Sequence, residues 1–188
     1  MNRENGYISE DQLTRLIAKL SNVEWFSNSG KQDRRAEAEK SLKEWTDQLK
    51  LGEYKIVWLT TEQLQPFVEN MNLGNSPVWS SINGIPKKLS ERSKVLGKQS
   101  VLSHTLDSAS EMLFHKAFDG AFPTLNEYGE RAVKVAVISV MYLFSLASVW
   151  EALSEMEESE PNPLLPLVKV FETGHWPVVM IDNQFYMV

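Results

Sequence analysis

Between Ala132 and Trp150 the chain carries one charged side chain, Lys134, among a nearly unbroken run of apolar residues. A helix that is apolar on every face belongs either in a bilayer or at the centre of a protein core. The stretch is close to the ~20 residues that a span needs, but Ser139, Ser145 and Ser148 break it, and nothing else in the sequence resembles a membrane protein. We therefore expect a buried central helix, running from about 127 to 157, with the remaining elements bundled around it. Glu151, Glu155, Glu157, Glu158 and Glu160 place negative charge at the end where the helix dipole is also negative, so the last turn should fray before Pro161.

The second strong pattern lies at 177–188. Pro177-Val178-Val179-Met180-Ile181 and Gln184-Phe185-Tyr186-Met187-Val188 flank Asp182-Asn183, residues that tolerate the positive φ of a tight hairpin turn. A lone hairpin is marginally stable in water and needs a further partner. The run 54–59, Tyr-Lys-Ile-Val-Trp-Leu, supplies a strand rich in β-branched and aromatic residues. Together they predict an α+β fold, mainly helical: a bundle around the long helix with a small antiparallel or mixed sheet.

Further helices follow from caps and spacing. Ser9 and Gln12 form a capping box ahead of Leu13, Leu16, Ile17 and Leu20, which predicts a helix over 9–20. Over 32–50, Arg35, Glu39, Lys43 and Asp47 stand four apart as a ladder of alternating charge on a solvated face, and Leu51-Gly52 ends the helix. Thr60 or Thr61 caps a helix over 62–71. The stretch 72–86, with Asn72, Gly74, Asn75, Pro77, Asn83, Gly84 and Pro86, reads as a loop. A basic helix near 87–96, another near 105–119 and a short one beginning at Asn162-Pro163 and closed by Gly174 complete the chain. With 188 residues and ordinary globular composition, one domain is expected, and loop 72–86 is the only plausible internal boundary.

Composition excludes several function classes. The chain has no cysteine, so disulfides, thiolate nucleophiles and Cys-ligated metals are absent, which suits a reducing compartment. A net charge of -6 gives no general attraction to nucleic acid or anionic lipid. The start, Met1 to Gly6, lacks the apolar core of a secretory signal, and a cytoplasmic location is expected. No glycines stand in G-x-G spacing, and the P-loop, G-x-S-x-G, S-x-x-K and H-E-x-x-H patterns are missing. No cofactor is implied.

Three groups of residues are candidates for function. Asp107, Glu111, His115 and Asp119 repeat every fourth residue, and neighbours such as Glu111 and His115 could share a cation or a proton. The drift of about 40° per step keeps all four from binding one ion. The same row also reads as the solvated side of a helix whose apolar face carries Leu102, Leu106, Ala109, Leu113 and Ala117. His175 and Trp176, between the last helix and the hairpin, could display an imidazole and an indole to a ligand, or could instead plug the gap there. The six tryptophans could line a pocket, although large aromatics more often fill core, and Trp79, beside Pro77 in the expected loop, is the first candidate among them. The basic run Lys87, Lys88, Arg92, Lys94 and Lys98 lacks aromatic residues for stacking on bases and is expected to be solvated or matched within the chain.

These patterns point to a non-catalytic soluble bacterial-type interaction or accessory protein, with another protein as partner and a surface around His175, Trp176 and the acidic helix end. The alternative is a small metal-dependent or small-ligand-binding enzyme using Glu111 and His115, with His104 or His175 brought in by the fold. A weak nucleic-acid binder working through 87–98 is a third possibility. Because the hairpin is expected to be structural, deleting 177–188 should destabilise the fold and lower its melting temperature rather than trim a tail. A truncated chain that melts like the full one would refute this.

Overall fold

The computed structural model describes residues 33–69, 77–95, 130–154 and 161–188. In chain order these form α1 (Arg35–Leu49), β1 (Lys55–Trp58), α2 (Thr61–Glu69), α3 (Pro77–Val95), α4 (Glu130–Ser154), α5 (Leu165–Glu172), β2 (Pro177–Ile181) and β3 (Gln184–Met187). The helices expected at 9–20 and 105–119, and the outer ends of the long helix, lie outside the described residues. The architecture is the mainly helical α+β arrangement that the sequence predicts, with a three-stranded sheet of order β1-β3-β2.

α4 is enclosed in its middle. Leu143 through Ala147 are buried without a break, so the helix is covered on every side there. Its described neighbours are α2, α3 and α5. No described helix is long and apolar enough to cross a membrane. Two of the serines on α4 bond to backbone of the preceding turn: Ser139 Oγ donates to the Val135 carbonyl at 2.6 Å and Ser154 Oγ to that of Trp150 at 2.7 Å. Such back-bonding lets a hydroxyl sit in an apolar environment without losing its hydrogen bond.

α1 buries Ala38, Ser41, Leu42, Trp45 and Thr46, a stripe at helical spacing. It packs mainly on α5. Arg34 joins the two, donating from Nη1 to the Glu172 carbonyl at 3.1 Å while its other nitrogens hold Glu37 at 2.8 Å. α1 ends one residue earlier than its glycine suggests. Lys50 takes the left-handed conformation (φ 56), and the Leu51 N–H closes onto the Thr46 carbonyl at 3.2 Å, with Gly52 (φ 77) turning the chain again toward β1.

Thr60 is the cap of α2: its N–H donates to Gln63 Oε1 at 2.9 Å, the reciprocal half of a capping box. The Thr60 hydroxyl also holds the Glu62 carboxyl below the usual carboxylate range.

α3 corrects the expected loop at 72–86. From Pro77 the chain is helical straight through Gly84 and Pro86. Ile82, Ile85 and Leu89 explain why, since they fall on one helical face and are all buried in the core. Burial of that face outweighs the local cost of a glycine, about 1 kcal/mol, and of the backbone bond that Pro86 cannot make. Residues 77–86 are therefore helix and not loop.

α5 enters through Asn162, whose Nδ2 donates to the Ala147 carbonyl on α4 at 2.8 Å and whose Oδ1 accepts from the Leu164 N–H at 3.1 Å. It leaves through Gly174 (φ 87) into the hairpin. Asp182 (φ 47) and Asn183 (φ 58) make the expected turn with both central residues left-handed. The β2–β3 ladder is antiparallel, with an irregularity between Pro177 and Val179, where Pro177 has no N–H to give. Beyond it Trp176 and Val188 exchange backbone bonds of 2.8 and 3.0 Å. β1 joins the other side of β3 in parallel, Ile56 opposite Phe185 and Trp58 opposite Met187. The sheet is thus mixed, and β3 is its middle strand.

Gly84 is exposed and helical, and a Cβ there would meet nothing within 4 Å. Gly84→Ala should raise stability by about 0.5–1 kcal/mol and the melting temperature by roughly 1–4 °C, measured by urea and thermal unfolding. An unchanged or lower midpoint would contradict the helical assignment at this position.

Candidate functional site

β1 and β2 are the two edges of the sheet, and they differ. β2 is buried from Pro177 to Met180, with α3 against it, whereas β1 is exposed at Lys55 and only half-buried from Ile56 to Trp58. The Lys55 N–H donates to the Asn183 carbonyl at 2.9 Å and the Leu59 N–H to that of Met187 at 2.7 Å. In a parallel ladder the direction of the backbone groups alternates along the strand. The N–H and C=O groups of Ile56 and Trp58 therefore face away from β3, and no described residue pairs with them.

The faces of the sheet are set by the same alternation. Tyr186 lies on one side, where its ring meets Phe67 of α2 with centroids 4.7 Å apart. On the other, Tyr54 packs edge-on against Phe185 at 4.9 Å, and its hydroxyl meets Thr46 Oγ1 on α1 at 3.1 Å. Trp58 is on this side too and is held on three fronts. Its Nε1 donates to Glu39 Oε1 at 2.9 Å, the Arg35 guanidinium lies 4.8 Å from its ring, and the His175 imidazole packs edge-on at 4.8 Å. Stacking of a cation on an indole is worth about 0.5–2 kcal/mol depending on how dry it is.

The turn before the hairpin does not display its ring pair. Trp176 is fully buried, and His175 is 5% exposed, so the plug describes this place and the surface display does not. The physical reason is the backbone pairing of Trp176 with Val188, which draws the indole into the core as an extension of the hairpin. Burial pushes the His175 imidazole below the ordinary histidine range. A hydrogen bond with the Val188 backbone opposes this, as does Asp33, while Arg35 and Arg34 add to it. The His175 Nε2 is buried and meets no hydrogen-bond partner among the described residues.

Trp79 falls in the first turn of α3 rather than in a loop. Glu111 and His115, with Asp107, Asp119 and His104, lie outside the described residues. Among the described residues no group of three or more His, Asp or Glu comes together as potential metal ligands. In the basic run, Arg92 stacks on Trp150 of α4 at 4.9 Å, while Lys87, Lys88 and Lys94 are exposed.

The four-residue ladder on α1 is half formed. Lys43 Nζ reaches both Asp47 oxygens at 2.8 Å, but Arg35 and Glu39 turn to Trp58. These three residues are what sequence reasoning missed. Spacing alone shows Arg35 and Glu39 one turn apart as partners for each other, and only the docking of β1 on α1 redirects them. Beside the N-terminal end of β1 opens a depression of about 1110 Å³, lined by Glu39 and Lys43 of α1, by 52–56, and by Asp182, Asn183 and Gln184 of the hairpin. No protein family, curated protein or solved structure matches this chain.

A histidine whose folded-state pKa is depressed stabilises the fold in its neutral form. That contribution is full above the unfolded value of about 6.5 and is lost as pH falls below it toward the folded value. Urea midpoints should therefore drop on acidification through this window in the parent chain, and His175→Gln should flatten the drop. Identical pH slopes in the two proteins would contradict the assignment.

Proposed function

We propose that this protein is a non-catalytic cytoplasmic interaction or accessory protein, and that its partner docks as an added strand along the outer edge of β1. The observation that carries the reading is the edge itself: Ile56 and Trp58 direct their backbone groups outward, on a strand that β3 and the Trp58 contacts hold in place. Strand addition uses main-chain bonds for affinity and neighbouring side-chain contacts for selectivity. Edge strands left open in this way are otherwise a source of aggregation, so a persistent one calls for a use or a cover. The absence of cysteine supports a reducing compartment. The docking surface thereby moves from His175 and Trp176, which are buried, to the strand that His175 braces.

Ile56→Pro tests this. Proline is tolerated in an edge strand when its nitrogen faces outward, and here it would delete the outward donor while sparing the bonds to β3. Chain-specific partners captured by the parent protein should be lost from Ile56→Pro, while its unfolding remains cooperative and Lys169→Gln, at an exposed position of α5, captures as the parent does. Equal capture by the parent and a folded Ile56→Pro would remove the basis of the proposal.

A further inference from the structure

We propose that the segment received by β1 is a basic, extended stretch of another protein, with its Lys or Arg residues over the N-terminal half of the strand. This deepens the docking function above and rests on it. The argument is electrostatic and positional. The depression that continues from this end of the edge carries Glu39, Glu53 and Asp182 against Lys43 and Lys55. Lys43 is already matched, since both oxygens of Asp47 lie 2.8 Å from its ammonium, and that contact raises its pKa. What is left to meet an incoming chain is an excess of carboxylate. Glu53 and Asp182 are exposed, at the surface where a partner would arrive.

The charge is also graded along the strand. At the Trp58 end the Arg35 guanidinium is stacked on the indole, so a basic residue would be repelled there and an apolar or acidic one accepted. At the Lys55 end Glu53 and Asp182 flank the entry. Side chains on an added strand alternate between the faces of the sheet, so every second residue would stand beside Ile56 and Trp58 and near the Glu39 carboxylate, which is anchored by its bond to Trp58. A strand with basic residues toward the Lys55 end and an apolar one beside Trp58 fits that gradient. A polyanionic segment does not, and the chain's overall charge of -6 adds to the discrimination.

The probes are two capped octapeptides, one alternating valine with lysine and one alternating valine with glutamate, titrated into the full chain and followed by Trp fluorescence and by amide exchange at Ile56 and Trp58. The expected result is at least tenfold tighter binding of the lysine peptide at low salt, a gap that narrows as salt rises, and protection of the Ile56 and Trp58 amides on binding. Ile56→Pro should abolish binding. The double variant Glu53→Lys with Asp182→Asn, at exposed positions, should erase the preference without loss of fold. Equal or tighter binding of the glutamate peptide, blocked by Ile56→Pro, would overturn the basic occupant and leave edge docking standing. Binding of neither peptide, with both amides already protected in the free chain, would overturn edge docking as well. Dependence of that protection on protein concentration would then identify a second copy as the cover, and independence would identify the chain's own residues.

Discussion

The structure depends on the complete burial of the middle of α4. A helix with no polar face at Leu143 to Ala147 must have neighbours on every side, and each buried side chain of this size contributes about 1.5–3 kcal/mol only while those neighbours are present. α2, α3 and α5 supply them among the described residues. This demand explains why α3 stays helical across Gly84 and Pro86, where local preference favours a break. It also explains why Asn162 spans from the start of α5 to a carbonyl of α4: the connection between these helices is pinned by a hydrogen bond as well as by packing.

The sheet is attached to this helical frame through its middle strand. β3 pairs with both neighbours and buries Phe185 and Met187, while α1 meets one side of the sheet at Tyr54 and Trp58 and α2 meets the other at Tyr186. The contacts around Trp58 then join elements far apart in sequence: α1 through Arg35 and Glu39, β1 through the indole, and the α5–β2 turn through His175. A buried imidazole with one nitrogen unpartnered is a sensitive joint, because adding a proton introduces a charge and a donor that meets no acceptor among the described residues. Its side-chain neighbour Trp58 stands on the strand whose outer backbone groups meet no partner among the described residues. Rigidity on the inner side and openness on the outer side are what a strand-addition surface requires, since an edge that frays cannot template a partner.

Much of the fold was legible along the chain because it is specified by local signals. The hairpin turn at Asp182-Asn183 needs positive φ at both positions, and these residue types supply it. The cap of α2 at Thr60 or Thr61 and the apolar run of α4 are each readable within one or two turns of helix. The two assignments that shifted did so where long-range packing competed with local preference. Pro77 to Pro86 contains the residues that usually mark a loop, but Ile82 and Ile85 continue the apolar face of the basic helix, and the core rewards their burial. Lys50, rather than Gly52, takes the first left-handed step after α1, since the hydrogen bond to Thr46 sets the position of the cap.

By itself, then, the sequence determined the class of fold, the central helix, the hairpin and the absence of thiol chemistry, because periodicity, turn residues and composition act over short distances. The candidate site was decided by tertiary structure alone. His175 and Trp176 looked available in a polar turn until the pairing of Trp176 with Val188 drew them inward, and Arg35 and Glu39 looked like partners in a surface ladder until β1 presented Trp58 between them. Which strand would be the middle one, and so which edge would be left open, followed from how β1 met β3 across a long sequence separation. Residue spacing does not encode such a meeting, because it is settled by which faces the assembled helices leave to be covered.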